Sequence, residues 1–117
     1  MPYNTLNGEK GDIMKYQFTA QAARWFDKVN GNTYHSVHVT NNETGESLFC
    51  PFQYGYGEQY RETALHEMSS KGWLPEKYTG ADKAGAKYWF YERENDYPIN
   101  WIVTDGLKRD CIHNGQG

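Results

Sequence analysis

Side chains alternate between polar and apolar sides from Thr33 to Thr40. Tyr34, Ser36, His38 and Thr40 fall on one side, and His35, Val37 and Val39 on the other. A period of two predicts a strand, and the valines point to the core. Asn30-Gly31, just before it, is a hairpin-turn signal. The pattern is strand-like from Lys15, and the stretch leading to Lys28 is therefore expected as the antiparallel partner, although its alanines would also suit a helical turn over 18–24. The polar run Asn41-Asn42-Glu43-Thr44-Gly45-Glu46 leads to a third strand over 47–53. Three strands on short turns make a meander.

The period then changes. After Tyr54-Gly55-Tyr56-Gly57, the residues Tyr60, Ala64, Leu65 and Met68 recur at helical spacing. Glu58 and Glu62 suit the first turns of a helix, Gly72 is a C-terminal stop, and Pro75 prevents resumption. Residues 76–85 read as a connector. Alternation in Tyr88-Trp89-Phe90-Tyr91 predicts a fourth strand over 86–93, and Trp101-Ile102-Val103 a fifth over 100–105. Lys108 to Ile112 reads as a short edge piece. The expected fold is α+β, in the order β-β-β-α-β-β. An antiparallel meander sheet of four or five strands carries one main helix on one face. Residues 1–14 are polar and read as a flexible arm, leaving 15–117 as one domain.

A helix of about fifteen residues is ~22 Å long, and five strands are ~24 Å wide. One helix cannot cover both faces of such a sheet. The face bearing Tyr34 and His38, with Trp89 and Tyr91 added, is therefore expected to be open to a partner or to a second copy of the chain. Aromatic residues make up 16% of the chain, including ten Tyr and four Trp, which supports either a ring-rich core or a binding face.

Charge narrows the choice of partner. The net charge of −3 lacks the basic footprint of most nucleic-acid binders. No apolar run approaches the ~20 residues that span a bilayer. The first eleven residues carry no export signal, so a cytoplasmic location with reduced Cys50 and Cys111 is expected. Cys50 in an apolar strand would be inert. His35 and His38 point to opposite faces, no His-x-x-x-His or Cys-x-x-Cys spacing exists, and neither a metal nor another cofactor is expected.

The strand-to-helix junction is the leading candidate site. Glycine there lets a ligand approach the backbone, and a helix start offers free N–H groups. No Lys, Ser or Thr follows the glycines, and Glu58 would repel phosphate, so a neutral or cationic ligand between Tyr54 and Tyr56 fits better. Gly55, Gly57 and Tyr60 complete the candidate set. The plainer alternative is that the glycines only make the turn. Candidate catalytic groups are Glu67, Glu62 and Tyr56. Glu58, Glu62 and His66 share a helix face at i, i+4, i+8, which equally describes a solvated surface.

The strings Ala23-Arg24-Trp25-Phe26-Asp27-Lys28-Val29-Asn30-Gly31-Asn32-Thr33-Tyr34-His35-Ser36-Val37 and Phe52-Gln53-Tyr54-Gly55-Tyr56-Gly57 resemble small uncharacterised accessory proteins of phages and archaeal viruses, over residues 22–73. The resemblance implies action in a host cytoplasm, by binding a host protein or by degrading a host metabolite. The leading expectation is a protein-interaction module, an inhibitor or adaptor and an oligomer. One alternative is a small enzyme for a nucleotide-like metabolite, for example an S-adenosylmethionine-degrading lyase. The strand plan is also similar to sheet-reading DNA-binding domains of plant transcription factors and integrase arms. The residues exposed here are Tyr, Ser, His and Thr, flanked only by Arg24 and Lys28, where those domains use Arg and Lys.

Overall fold

The alternation over Thr33–Thr40 builds the second strand of a four-stranded sheet. A computed structural model describes residues 16–117, so the arm expected over 1–14 lies outside the described residues. Strands β1 (Phe18–Asp27), β2 (Asn32–Asn41) and β3 (Ser47–Tyr54) form the meander. Helix α1 (Gln59–Ser70) follows, then a 3₁₀ turn (Glu76–Tyr78) and a minimal hairpin of β4 (Ala81–Asp82) and β5 (Gly85–Ala86). A second 3₁₀ turn (Lys87–Phe90) runs into the one-turn helix α2 (Tyr91–Glu94). Strand β6 (Ile99–Asp105) and helix α3 (Lys108–Asn114) complete the fold. The sheet order is β3-β2-β1-β6, with β1 antiparallel to β2 and parallel to β6. The α+β class is as expected.

The first hairpin is set by its turn. The Asp27 carboxylate accepts bonds from the backbone N–H groups of Val29 and Asn30 and from Asn30 Nδ2, at 3.0, 3.3 and 2.8 Å. Such local bonds favour a turn over a continuing strand. The resulting register pairs Trp25 with Tyr34 and Ala23 with Ser36. Between β2 and β3 the register shifts at His35/Val37. The extra β3 residue forms a bulge beside Pro51, which lies on the sheet edge where its missing N–H costs no ladder bond.

The core lies between one sheet face and α1. Phe18, Ala20, Val37, Val39 and Leu48 meet Ala64, Leu65 and Met68, all essentially inaccessible to solvent. The helical stripe read from the sequence is the buried set of α1. Each buried Leu or Met contributes about 1.5–3 kcal/mol. Gly72 ends α1 in the left-handed region, at φ 77°.

Two expectations change. Residues 86–93 are not a strand. Tyr88 and Tyr91 are both buried, three residues apart, which is helical spacing, whereas Trp89 between them is exposed. The Tyr91 hydroxyl donates to Gln17 Oε1 at 2.7 Å, and its ring meets Tyr78 edge-on. Tyr91 is thus a core residue, and neither Tyr91 nor Trp89 belongs to a sheet face.

The second sheet face is only partly open. Residues 108–114 form α3, which lies across it. Ala23 and Ser36 sit side by side there and leave room for a helix backbone. Ser36 Oγ donates to the Cys111 carbonyl at 2.5 Å, and Asn114 Nδ2 reaches the Gln21 carbonyl at 3.0 Å. A Cβ on Gly115 would lie 2.8 Å from the Cys50 carbonyl oxygen and 2.9 Å from Pro51 Cα and Ser36 Cβ. Ser36 is consequently fully buried.

Among the described residues no helix is long and apolar enough to cross a membrane. Gly115→Ala is expected to lower stability by about 1–3 kcal/mol, because the added carbon meets backbone. An unchanged urea midpoint for this variant would mean that the helix is not seated this closely.

Candidate functional site

Register and bulge together assemble a row of rings. Trp25 from β1, Tyr34 from β2 and Phe52 and Tyr54 from β3 stand on the face that α3 partly covers, and Tyr56 continues the row beyond the strand. Ring centroids are 5.6 Å apart for Trp25–Tyr34, 5.0 Å for Tyr34–Phe52, 5.8 Å for Tyr34–Tyr54 and 5.3 Å for Tyr54–Tyr56. Trp25, Tyr34 and Phe52 are half-buried, and Tyr54 and Tyr56 are about half exposed. Lys108 at the start of α3 places its Nζ 5.3 Å from the Trp25 ring centroid, within cation–π reach. Polar contact with the Tyr56 hydroxyl holds the Tyr54 hydroxyl above the ordinary tyrosine range.

Three residues of this row were among the sequence candidates, namely Tyr34, Tyr54 and Tyr56. Trp25 and Phe52 were not. The Asn30-Gly31 turn fixes the register that sets Trp25 opposite Tyr34, and this was the signal that could have found it. His38 shares the face but lies on the far side of α3, stacked on Phe49 at 4.3 Å and bonded to Ser47 Oγ. Tyr60 is buried in α1, with its ring against Trp101. It supports the junction from inside and is not a contact residue.

The junction itself is tied down from both sides. Arg24 holds Asp105 through Nε and Nη2, at 2.7 and 3.1 Å, and donates from Nη1 to the Gly57 carbonyl at 3.0 Å. The guanidinium keeps the Asp105 carboxyl below the usual carboxylate range. On the other side, His35 is fully buried, and its Nε2 lies 2.8 Å from Thr63 Oγ1. Nδ1 has no partner in hydrogen-bond geometry among the described residues. A Cβ on Gly55 would come within 2.5 Å of the His35 ring. Glycine is therefore needed at 55 for contact with a core histidine, a reason the sequence pattern did not offer.

The candidate acids belong to a different place. Glu62 and Glu67 line a cavity of about 370 Å³ between α1 and β3, with Thr63, His66, Tyr88, Gln53 and Cys50. Among the described residues no Lys or Arg lines it. The Tyr88 hydroxyl donates to Glu62 at 3.4 Å, and the His66 and Tyr88 rings meet edge-on. Burial, and then the charge of Glu67, push the Cys50 thiol up to about 12, which removes it as a nucleophile. Neither Tyr54 nor Tyr56 lines this cavity, so the rings and carboxylates expected to act together are separated. Among the described residues no group of three His, Cys, Asp or Glu side chains could hold a metal ion.

No family model, curated protein or solved structure matches the chain.

Burial lowers the His35 pKa, and the nearby Gly55 backbone offsets this only in part. The unfolded state then binds the proton more readily. Stability from neutral His35 is present above the unfolded value near 6.5 and is lost as pH falls below it, levelling out below the folded value. Urea unfolding between pH 7.5 and 5 should show this decline, and His35→Gln should flatten it. The depressed carboxyls of Glu94 and Asp105 act at lower pH, as it falls below about 4. An equal slope in the His35 variant would assign the titration elsewhere.

Proposed function

We propose that this chain is a small virus-derived accessory protein that works by binding a host protein through the ring row at the strand-to-helix junction. The observation that carries the reading is the continuity of Trp25, Tyr34, Phe52, Tyr54 and Tyr56 on a rigid sheet, ending in two rings about half exposed to water. Rings held by one another lose little entropy on binding, and Tyr and Trp are the usual anchors of interface hot spots. Trp89 and Tyr91, offered for this role by the sequence pattern, play no part in it. The DNA-reading alternative needs an open sheet face. Here α3 lies over that face, and Arg24 is engaged with Asp105.

The test is capture from host lysate with wild-type protein and with Tyr56→Ala, which alters an exposed ring, alongside Tyr34→Ala. A partner held by the row is expected to be lost from both variants, at ~tenfold or more in affinity. The same captured set for wild type and variants would overturn the reading.

A second reading rests on the cavity at α1. Two carboxylates, with no Lys or Arg in the lining among the described residues, favour a cationic ligand over a phosphate. A nucleotide-like cation such as the sulfonium of S-adenosylmethionine fits that chemistry, with Tyr88 as ring partner and Glu62 and Glu67 as acid–base candidates. Thermal-shift screening should then give a stabilisation by S-adenosylmethionine that Glu67→Gln removes. ATP and phosphate should give none. No shift with any cationic metabolite would sink this second reading.

A further inference from the structure

We infer that the segment taken by the ring row is an extended, proline-containing peptide with carboxylates next to its prolines. This rests on the reading of the row as a protein-binding surface, and it names the kind of sequence bound.

Ring orientation comes first. The Tyr34 and Phe52 planes lie within 6° of each other at 5.0 Å, so each covers a face of the other and turns its edges outward. Trp25 has Lys108 over its ring. Single-stranded nucleic acid needs free ring faces on which to stack bases. The outward edges of the stacked Tyr34 and Phe52 instead suit pyrrolidine rings, as in aromatic-lined grooves that take polyproline II segments.

Spacing comes second. The backbones of β1 and β3 are two strand intervals or ~9.6 Å apart; Phe52 leans in to 6.3 Å from Trp25, so the full span runs from Trp25 to Tyr54. A polyproline II helix repeats every three residues, ~9.3 Å. Prolines three apart would therefore reach the Trp25 end and the Tyr54 end together. This conformation has no internal hydrogen bonds, so its carbonyls are free to accept. The Tyr34 hydroxyl, on the row, is a donor that could reach one of them. An α-helical ligand would offer no such carbonyls along its length.

Charge comes third. The chain carries −3 overall, yet the Trp25 end is basic. Lys108 sits on the ring, and Lys28 lines the same open hollow as Trp25. Two carboxylates lie nearby and both are engaged: Asp27 is turned into the hairpin and accepts from Val29 and Asn30, and Asp105, in the same hollow, is held by Arg24. Carboxylates on the peptide beside its prolines complement this end.

The experiment uses the full chain and a fluorescein-labelled synthetic peptide of two glutamates followed by Pro-Pro-Leu-Pro-Pro, read by anisotropy. Saturable binding is expected, weakened ~tenfold by Tyr56→Ala and by Tyr34→Ala. Lys108→Glu should also weaken it and reduce its salt dependence. The same peptide with every proline changed to alanine should bind at least ~tenfold more weakly. Circular dichroism and the urea midpoint confirm that each variant is folded. No saturation by about 1 mM, equal binding of the alanine peptide, or displacement by oligothymidine with the same variant pattern would each overturn the inference. If the peptide fails while Tyr56→Ala still loses a captured host protein, only the peptide class is wrong. If both fail, the protein-binding reading falls with it.

Discussion

Seating α3 on the pair of small residues Ala23 and Ser36 organises this protein. Without that shallow place on the sheet, the last helix could not approach closely enough for Ser36 and Asn114 to bond across it. The helix has one fully buried side chain, Cys111. It is held by hydrogen bonds between side chains and backbone more than by apolar area. Its position divides the sheet face in two. Rings gather at the hairpin end, and the His38–Phe49 stack lies at the other. The exposed surface is therefore a bounded row, fixed in place by the helix beside it.

The junction between β3 and α1 separates two chemistries that lie close together in sequence. Tyr54 and Tyr56 turn to the ring row, whereas Glu62 and Glu67 turn to the cavity on the α1 side. His35 holds the two apart, packed beneath Gly55 and bonded to Thr63. Arg24 fixes the same turn from the far side by bonding Gly57 and Asp105 at once. Such a pinned junction presents its rings at low entropic cost. It does not bring a ring and a carboxylate together on one ligand.

Much of this was legible in the sequence, because two signals there are physically strong. Alternation over Thr33–Thr40 and the Asn30-Gly31 turn specify the meander, and the spacing of Tyr60, Ala64, Leu65 and Met68 specifies the buried side of α1. The run from Tyr88 to Tyr91 misleads because four successive aromatics fit a period of two and a period of three equally well. Burial of Tyr88 and Tyr91 decides for the latter, with Tyr78 packing against Tyr91. Helix α3 leaves almost no pattern, since one cysteine is too little for a stripe. The parallel return of β6 is a matter of topology, set by α2 and by Trp101 donating to Glu92 at 2.9 Å. Trp25 and Phe52 were hidden for a different reason. Their neighbours depend on register and on the bulge, which act between strands and not along them.

The central strand has an implication for the order of assembly. Its hairpin with β2 closes over a few residues, but its other partners come from far along the chain. Arg24 and Asp105 are 81 residues apart, and Cys111 and Ala23 are 88 apart. Loop-closure entropy rises with such separation, and nearby contacts form first. The meander therefore has the head start, and β6 and α3 join it late. A chain still emerging from the ribosome would have its rings in register while the groove over Ser36 stood empty.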